Sequence, residues 1–369
     1  MKKIGLKILL FIFLAQLMVG PCLATNLDQN FKAVVLDILE QRQIDDGDGV
    51  IINQQRLQLL GLDGDWQGKE LIYDGIGELV VLNSIIYQTG DKVLVNQTIN
   101  DNNEEIFYVV DHVRTAGLWW LGLLFVLVVL VIGRQKGFRS LVALALTFVV
   151  IIKLFIPIVI AGQSPIIWGL VSVAIILPIM IVVTDGWSRK SLIAVISILI
   201  CLILTMIISV LFSNLMHLSG MGGEETLLLM GNGKTIIDFR GLFFISILIG
   251  ALGVLDDVVL GQIEAVVQIK IANNKLSNNQ VFKMAGSVGK SHLGAMINTL
   301  FLAYAGAALP LLLLLSLKQP PFVSMFYAIN SEIIAVEIVR ALVGGVGLAL
   351  AIPISTYLAV RFINRKKLA

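Results

Sequence analysis

The chain has 369 residues, 57% of them apolar and 14% charged, with a mean hydropathy of +0.91. Soluble domains carry about 25% charged residues, so a soluble globular protein is excluded and an integral membrane protein is expected. The net charge of +2 hides a segregation: residues 25–114 hold 16 Asp and Glu against six Lys and Arg, as if two regions faced two compartments. The two cysteines, Cys22 and Cys201, lie in separate apolar segments, which excludes a disulfide framework or a thiolate metal site. His112, His217 and His292 are equally scattered and argue against a zinc hydrolase.

Residues 1–24 read as a signal sequence, cleaved or retained as an anchor. Lys2, Lys3 and Lys7 precede the apolar stretch Ile8 to Val19, and Ala24 is a plausible last residue before cleavage. Residues 25–114 form an acidic domain in which short apolar runs (34–36, 50–52, 79–82 and 93–95) alternate with Asp46-Gly47-Asp48-Gly49, Asp63-Gly64-Asp65 and Gly90-Asp91. The spacing predicts a small β-rich unit, OB-like or sandwich-like. An EF-hand loop needs a closing Glu that is missing here, so the Asp-Gly pairs are read as tight turns.

Residues 115–369 hold seven apolar spans, about 117–133, 140–161, 165–183, 191–212, 241–260, 293–317 and 332–360. Each reaches or exceeds the ~17 residues that a spanning helix needs. If the first span runs inward, thirteen Lys and Arg fall in inner segments against three (Lys234, Arg240, Lys318) in outer connections. The positive-inside rule then places the acidic domain outside and the C-terminus in the cytoplasm. Thr226 to Met230 suggest a short interfacial helix in the outer loop. Ile263, Val266, Val267, Ile269 and Ile271 suggest a cytosolic extension of the fifth span.

Few polar residues interrupt the spans, and those that do are the candidates for function. Asp256 lies ~24 Å along the fifth span from Arg240, and Asn298 lies ~9 Å along the sixth from His292. Asp256, Asp257, Asn298 and Thr299 are therefore expected to share an inner-leaflet layer. Two close carboxylates tend to hold a proton between them, which reads as a proton or cation site. The bland alternative is a helix end in the headgroup region. Glu332, Glu337 and Arg340 form a second group, in which Glu337 and Arg340 are three apart and can pair on one helix face, as a structural or gating ion pair. Lys153 either joins them at similar depth or snorkels past Pro157. Gly344-Gly345-Val346-Gly347 and Pro353 are candidates for breaking the seventh span, or for letting helices approach closely. Gly286 to Ser291 imitate a P-loop, but only two residues separate the glycines where four are required.

Gly250-Ala251-Leu252-Gly253-Val254-Leu255-Asp256-Asp257-Val258 resembles a stretch of the YibE/F-like family. So do Gly294 to Leu300, Leu302 to Gly306 and Asn330 to Arg340. The resemblance covers about residues 30–360. Lys290-Ser291-His292 stand where that family usually has an Arg-Asp pair, and Leu260-Gly261-Gln262 stand where it commonly has small and hydroxyl residues. The resemblance implies a bacterial multi-pass membrane protein and names no substrate.

The expectation is an α-helical polytopic protein of the cytoplasmic membrane, with about seven transmembrane helices behind a signal sequence and a small β-rich extracytoplasmic domain. A secondary transporter or permease is the leading reading, with a small-molecule or ion substrate that the residues do not name. The alternative is a non-transporting scaffold or sensor whose acidic outer domain binds a partner. No complete nucleophile–base set suggests an enzyme. The expected surroundings are the lipid bilayer and a second copy or a related membrane subunit, with no cofactor, metal or nucleic acid.

Overall fold

The computed structural model describes residues 29–45, 51–76, 86–99, 105–231, 237–318 and 322–363. The signal sequence, the turn at 46–49 and the expected strand at 79–82 lie outside them. The chain divides into two compact units, Val19–Val131 and a second that includes Ile132–Ala369.

In the first unit, β1 (Gln29–Asp45), β2 (Ile51–Gly61), β3 (Glu70–Asp74), β4 (Lys92–Ile99) and β5 (Glu105–His112) form one antiparallel sheet in the order β3-β2-β1-β4-β5. β1 is long enough to pair with β4 from Gln29 to Val34 and with β2 from Ala33 to Asp45. Register shifts at Val35/Asp37 and Ile38/Glu40 let it bend between the two partners. The edge strands β3 and β5 lie against one another, so the sheet curls.

Side chains alternate across each strand, and the inward set Ala33, Val35, Leu57, Leu59, Val93 and Val95 is at most 1% exposed. Phe31, Trp66 and Phe107 close one part of this core, with Trp66 and Phe107 ring centroids 4.8 Å apart. Asp63, read from sequence as part of a turn, accepts from the Lys32 backbone N–H at 2.5 Å and leads into a 3₁₀ turn at Gly64–Trp66. The buried Gln55 carboxamide bonds to both backbone groups of Tyr87, at 2.8 and 3.0 Å, and so satisfies a segment that has no strand partner there.

On the outer face Arg56 donates to Asp74 at 2.7 Å and lies 3.5 Å from Glu40. The hydrogen bond from Arg56 holds the Asp74 carboxyl below its ordinary value. A carboxyl depressed in the folded state adds stability above its unfolded pKa and loses it as pH falls through the folded one. Acidification below the usual carboxylate range should therefore weaken the β2–β3 pairing, modestly, since both side chains are largely solvated. The protection factors of the Leu57 to Leu60 amides in the full-length protein, referred to the intrinsic exchange rate at each pH, should fall as pH drops. Asp74→Asn should show less protection at neutral pH and a flatter pH dependence; an unchanged profile would remove the pair from the account.

Helix α1 (Thr115–Val149) begins in this unit, and its residues up to Val131 are exposed or half-exposed on all sides. A helix that is apolar all round suits lipid. It departs from helical geometry at Arg134, with φ 49°. A π-helical segment, Val150–Phe155, then leads into α2 (Ile156–Ile160), where Pro157 offers no N–H to the helical ladder.

The second unit continues with α3 (Pro165–Asp185), α4 (Arg189–Leu215), α5 (Glu224–Gly231), α6 (Phe239–Ala272), α7 (Asn278–Ala307), α8 (Leu309–Leu317), α9 (Met325–Asn330) and α10 (Glu332–Phe362). Side-chain caps start several of them. Ser188, Asp238 and Ser324 accept from backbone N–H groups three residues on, and Ser277 forms a capping box with Gln280. α10 packs against α4, α6 and α7. The core between them includes Ile198, Leu248, Leu255, Ile263 and Leu348, each at most 1% exposed.

Among the described residues five helices are long and apolar enough to cross a membrane, and a sixth if α7 and α8, bent by 67°, form one span. The first two expected spans merge into one helical stretch, Thr115–Ile160. A short helix is present at the expected place in the loop after α4, as α5, and α6 continues to Ala272, through the segment expected to extend the fifth span. Of the two readings of the glycines and Pro353, breakage or close packing, α10 takes the second, because it runs through Gly344 to Gly347 and past Pro353 as one helix. Its glycines serve packing instead: a Cβ on Gly345 would meet Phe301 at 3.3 Å, and one on Gly347 would meet Thr205 Oγ1 at 2.3 Å. Gly286 to Ser291 lie inside α7, so the P-loop imitation is helical.

Candidate functional site

Asp256 and Asp257 sit on α6, about 100° apart around the helix. Asp256 turns inward and is half-buried, and its Oδ1 is enclosed with no hydrogen-bond partner among the described residues. Asp257 is exposed. The charged groups that act on Asp256 are Asp257 and, from the end of α3, Asp185. Sequence reading missed Asp185 because it closes an apolar run 71 residues away and meets Asp256 only through packing of α3 on α6.

Asn298 and Thr299 are both exposed on α7, and Thr299 Oγ1 donates to Ala295 O of its own helix at 2.9 Å. No hydrogen bond joins either to the aspartates among the described residues. Gly253 and Gly261, one turn to either side of Asp257, have open space where a Cβ would stand, as does Gly294 on α7.

Two buried polar groups missed in the sequence fix the helices nearby. Gln262 Nε2 donates to Ala285 O at 2.6 Å and ties α6 to α7. Gly289 leaves room for this amide, since a Cβ there would lie 2.7 Å from Gln262 Oε1. Lys270, 4% exposed, donates to Val360 O at 2.7 Å and Ile363 O at 2.9 Å, capping the C-terminus of α10 with a positive charge. Gln262 appeared in the sequence only as a departure from a family pattern, and Lys270 only as one of the inner basic residues.

The second polar group gathers around Arg340. Its Nη1 donates to Glu337 Oε1 at 2.7 Å, and its guanidinium lies over the Phe243 ring, 5.9 Å from the centroid. Tyr304 of α7 reaches α6. Its hydroxyl occupies the space that Gly250 of α6 leaves, since a Cβ there would stand 2.8 Å from Tyr304 Oη. Glu332 stands apart from this group. Its Oε1 accepts from Ser219 N at 2.6 Å, Ser219 Oγ at 2.8 Å and Gly220 N at 2.7 Å, and so holds the loop after α4 against the start of α10. Lys153 is exposed in the π-helical segment and forms no ion pair among the described residues.

Tyr304 of α7 thus meets α6 at Gly250, and Arg340 of α10 meets it at Phe243. A family model described as YibE/F-like protein matches residues 121–365. The chain belongs to the YibE/F-like family. The match starts within α1 and leaves the β-sheet unit outside it. The segments that carry the YibE/F-like resemblance, 250–258, 294–306 and 330–340, lie on α6, α7 and the start of α10, which pack on one another, with Tyr304 against Gly250. No curated protein and no solved structure matches the chain.

Proposed function

We propose that the chain is a secondary transporter or permease of a bacterial cytoplasmic membrane, with Asp256 and Asp257 handling a coupling proton or cation near the inner leaflet. The observation that carries this reading is the enclosed, unpartnered oxygen of Asp256. A carboxylate held at a helix interface without a donor is costly, and it suits a group that takes up and releases a proton or cation. Asp257, on the open glycine-flanked face, is the partner through which exchange with the aqueous side proceeds.

A seven-span topology supports this reading. The stretch Thr115–Ile160 is 46 residues long, and at 1.5 Å per residue its ~69 Å is more than twice a bilayer core of ~30 Å. The break at Arg134 divides it into two crossings, and with the bent α7–α8 pair the total is seven. The strand order, with β3 against β5, traces the ring 1-2-3-5-4 and favours an OB-like over a sandwich-like outer unit.

The test is proton movement in proteoliposomes, read with an internal pH dye, for Asp256→Asn and Asp257→Asn variants with thermal unfolding matched to wild type. Both are expected to lower the rate by about tenfold or more. Folded variants that behave as wild type would end the coupling-site reading. The scaffold or sensor alternative draws on the number of polar groups committed to helix fixation, among them Glu332, Gln262 and Lys270. It predicts that removing residues 30–110 abolishes function, whereas a permease core should retain some flux.

A further inference from the structure

A cavity of about 280 Å³ opens between the start of α7 and the end of α10, close in size to the smallest ligand pockets, at ~300 Å³. The two helices run antiparallel, since Gly289 meets Ile352 while Gly345 meets Phe301. Asn278, Asn279 and Phe282 line the cavity from α7, and Tyr357, Val360 and Arg361 from α10. Val360 is buried and Phe282 half-buried, whereas the other four are exposed. An apolar floor thus lies under a rim of side chains that can donate hydrogen bonds.

The walls fit an anion. Arg361 is the charged group among them, none of the six is acidic, and Arg361 pairs with no carboxylate among the described residues. The C-terminal carbonyls of α10 would repel an anion, but they are neutralised from behind. Lys270 donates to Val360 O and Ile363 O at 2.7 and 2.9 Å. The approach to the cavity is apolar. Leu342, Val346, Pro353 and Tyr357 are exposed at helical spacing along α10 and lead to Arg361. From Leu342 to Tyr357 this stripe runs ~22 Å, longer than the ~15 Å of hydrocarbon in one leaflet. An acyl chain lying on it brings its headgroup to the level of Arg361.

We infer that this cavity holds the headgroup phosphate of an anionic phospholipid, with Arg361 as the charged donor and Asn279 and Tyr357 as neutral ones. Donors around an apolar floor suit an amphiphile, whereas a free inorganic anion gains nothing from Phe282 and Val360. Basic pockets between helices on the cytoplasmic side attract such headgroups. The inference goes beyond transport and rests only on the cytoplasmic placement of this end. The lipid fastens the start of α7 to the end of α10.

The experiment follows thermal unfolding of the full-length protein in detergent as phosphatidylglycerol or phosphatidylcholine of the same acyl chains is added. Phosphatidylglycerol should raise the wild-type midpoint, because a ligand of the folded state stabilises it by mass action. Phosphatidylcholine should need about tenfold more lipid for the same gain. Arg361→Gln, matched to wild type in detergent alone, should need about tenfold more phosphatidylglycerol. Asn279→Leu fills the cavity without changing the charge and should lose as much. Lys275→Gln removes an exposed charge outside the cavity and should respond as wild type does. Equal losses in Lys275→Gln and Arg361→Gln assign the effect to diffuse surface charge and overturn the site. So does an unchanged response in Asn279→Leu, or equal gains from the two lipids in wild type. Sodium phosphate that reproduces the whole gain, against chloride at equal ionic strength, overturns a lipid in favour of a soluble anion. Asp256→Asn should respond to phosphatidylglycerol as wild type does, so this site and the aspartate coupling site fail separately.

Discussion

Lys270→Met is expected to destabilise the membrane unit by about 2–4 kcal/mol. Lys270 is 4% exposed, and its ammonium donates to Val360 O and Ile363 O at 2.7 and 2.9 Å. Val360 O belongs to the last turn of α10 and Ile363 O to its C-cap residue, where carbonyls lack helical partners and carry the negative end of the helix dipole. Methionine fills similar volume without a donor, so two buried acceptors lose their partner while packing changes little. Lys270→Gln offers one neutral donor and should fall between the two. Unfolding of the detergent-solubilised protein by denaturant titration measures the series. A Met variant as stable as wild type would show that the capping bonds contribute nothing, and that burial of the lysine stem alone holds α6 to α10.

The sequence made the apolar helices legible because each apolar run is longer than the bilayer needs and is bounded by charge. What it did not convey is how helices are joined. Residues 134–139 carry three basic residues and read as a loop, yet the backbone stays helical on either side of a single left-handed residue, Arg134. In the same way, the glycines and Pro353 of α10 read equally as a break or as close packing, and only the packed helices decide for the second. Gly345 and Gly347 are spent on close approach to Phe301 and Thr205.

The β unit was legible as β-rich, with runs at 34–36 and 93–95 inside β1 and β4. The full 17-residue length of β1 was not, because its register shifts disturb the alternation that marks a strand. β3 was missed since it is only five residues long, although Leu71 and Tyr73 alternate as a half-buried strand should.

Within the candidate site, the neighbourhood of Glu337 and Arg340 follows from their spacing on one helix, whereas partners on other helices leave no local trace. Tyr304 stood inside a family motif without any reason to single it out. Only the packing of α7 on α6 brings it to Gly250, and only there does the missing side chain of a glycine acquire a purpose. Asp185 and Gln262 are of the same kind. Glu332 was grouped with Glu337 by proximity in sequence, but it starts its helix and finds four donors in the preceding loop, so its charge serves the loop and leaves Arg340 to Glu337.

The close approach of α10 to α4 supplies the second large effect. Gly347→Ala is expected to cost about 2–4 kcal/mol, because its Cβ would stand 2.3 Å from Thr205 Oγ1. Thr205 cannot simply turn away: it is fully buried, and its hydroxyl donates to Cys201 O at 2.8 Å. Threonine is also stiff at χ1 in a helix, so the strain passes to the helix pair that centres the unit. The nearest Thr205 carbon to that added methyl is its own Cβ, at 3.5 Å, which is ordinary contact. Removing the hydroxyl should therefore remove most of the clash. Gly347→Ala combined with Thr205→Ala should recover more than half of the loss, a non-additivity of the kind that directly touching residues show. The double-mutant cycle, measured by the same denaturant titration, decides the matter. If the two changes simply add, the helices are separating for another reason, and the glycine is not what lets α10 reach the α4 surface.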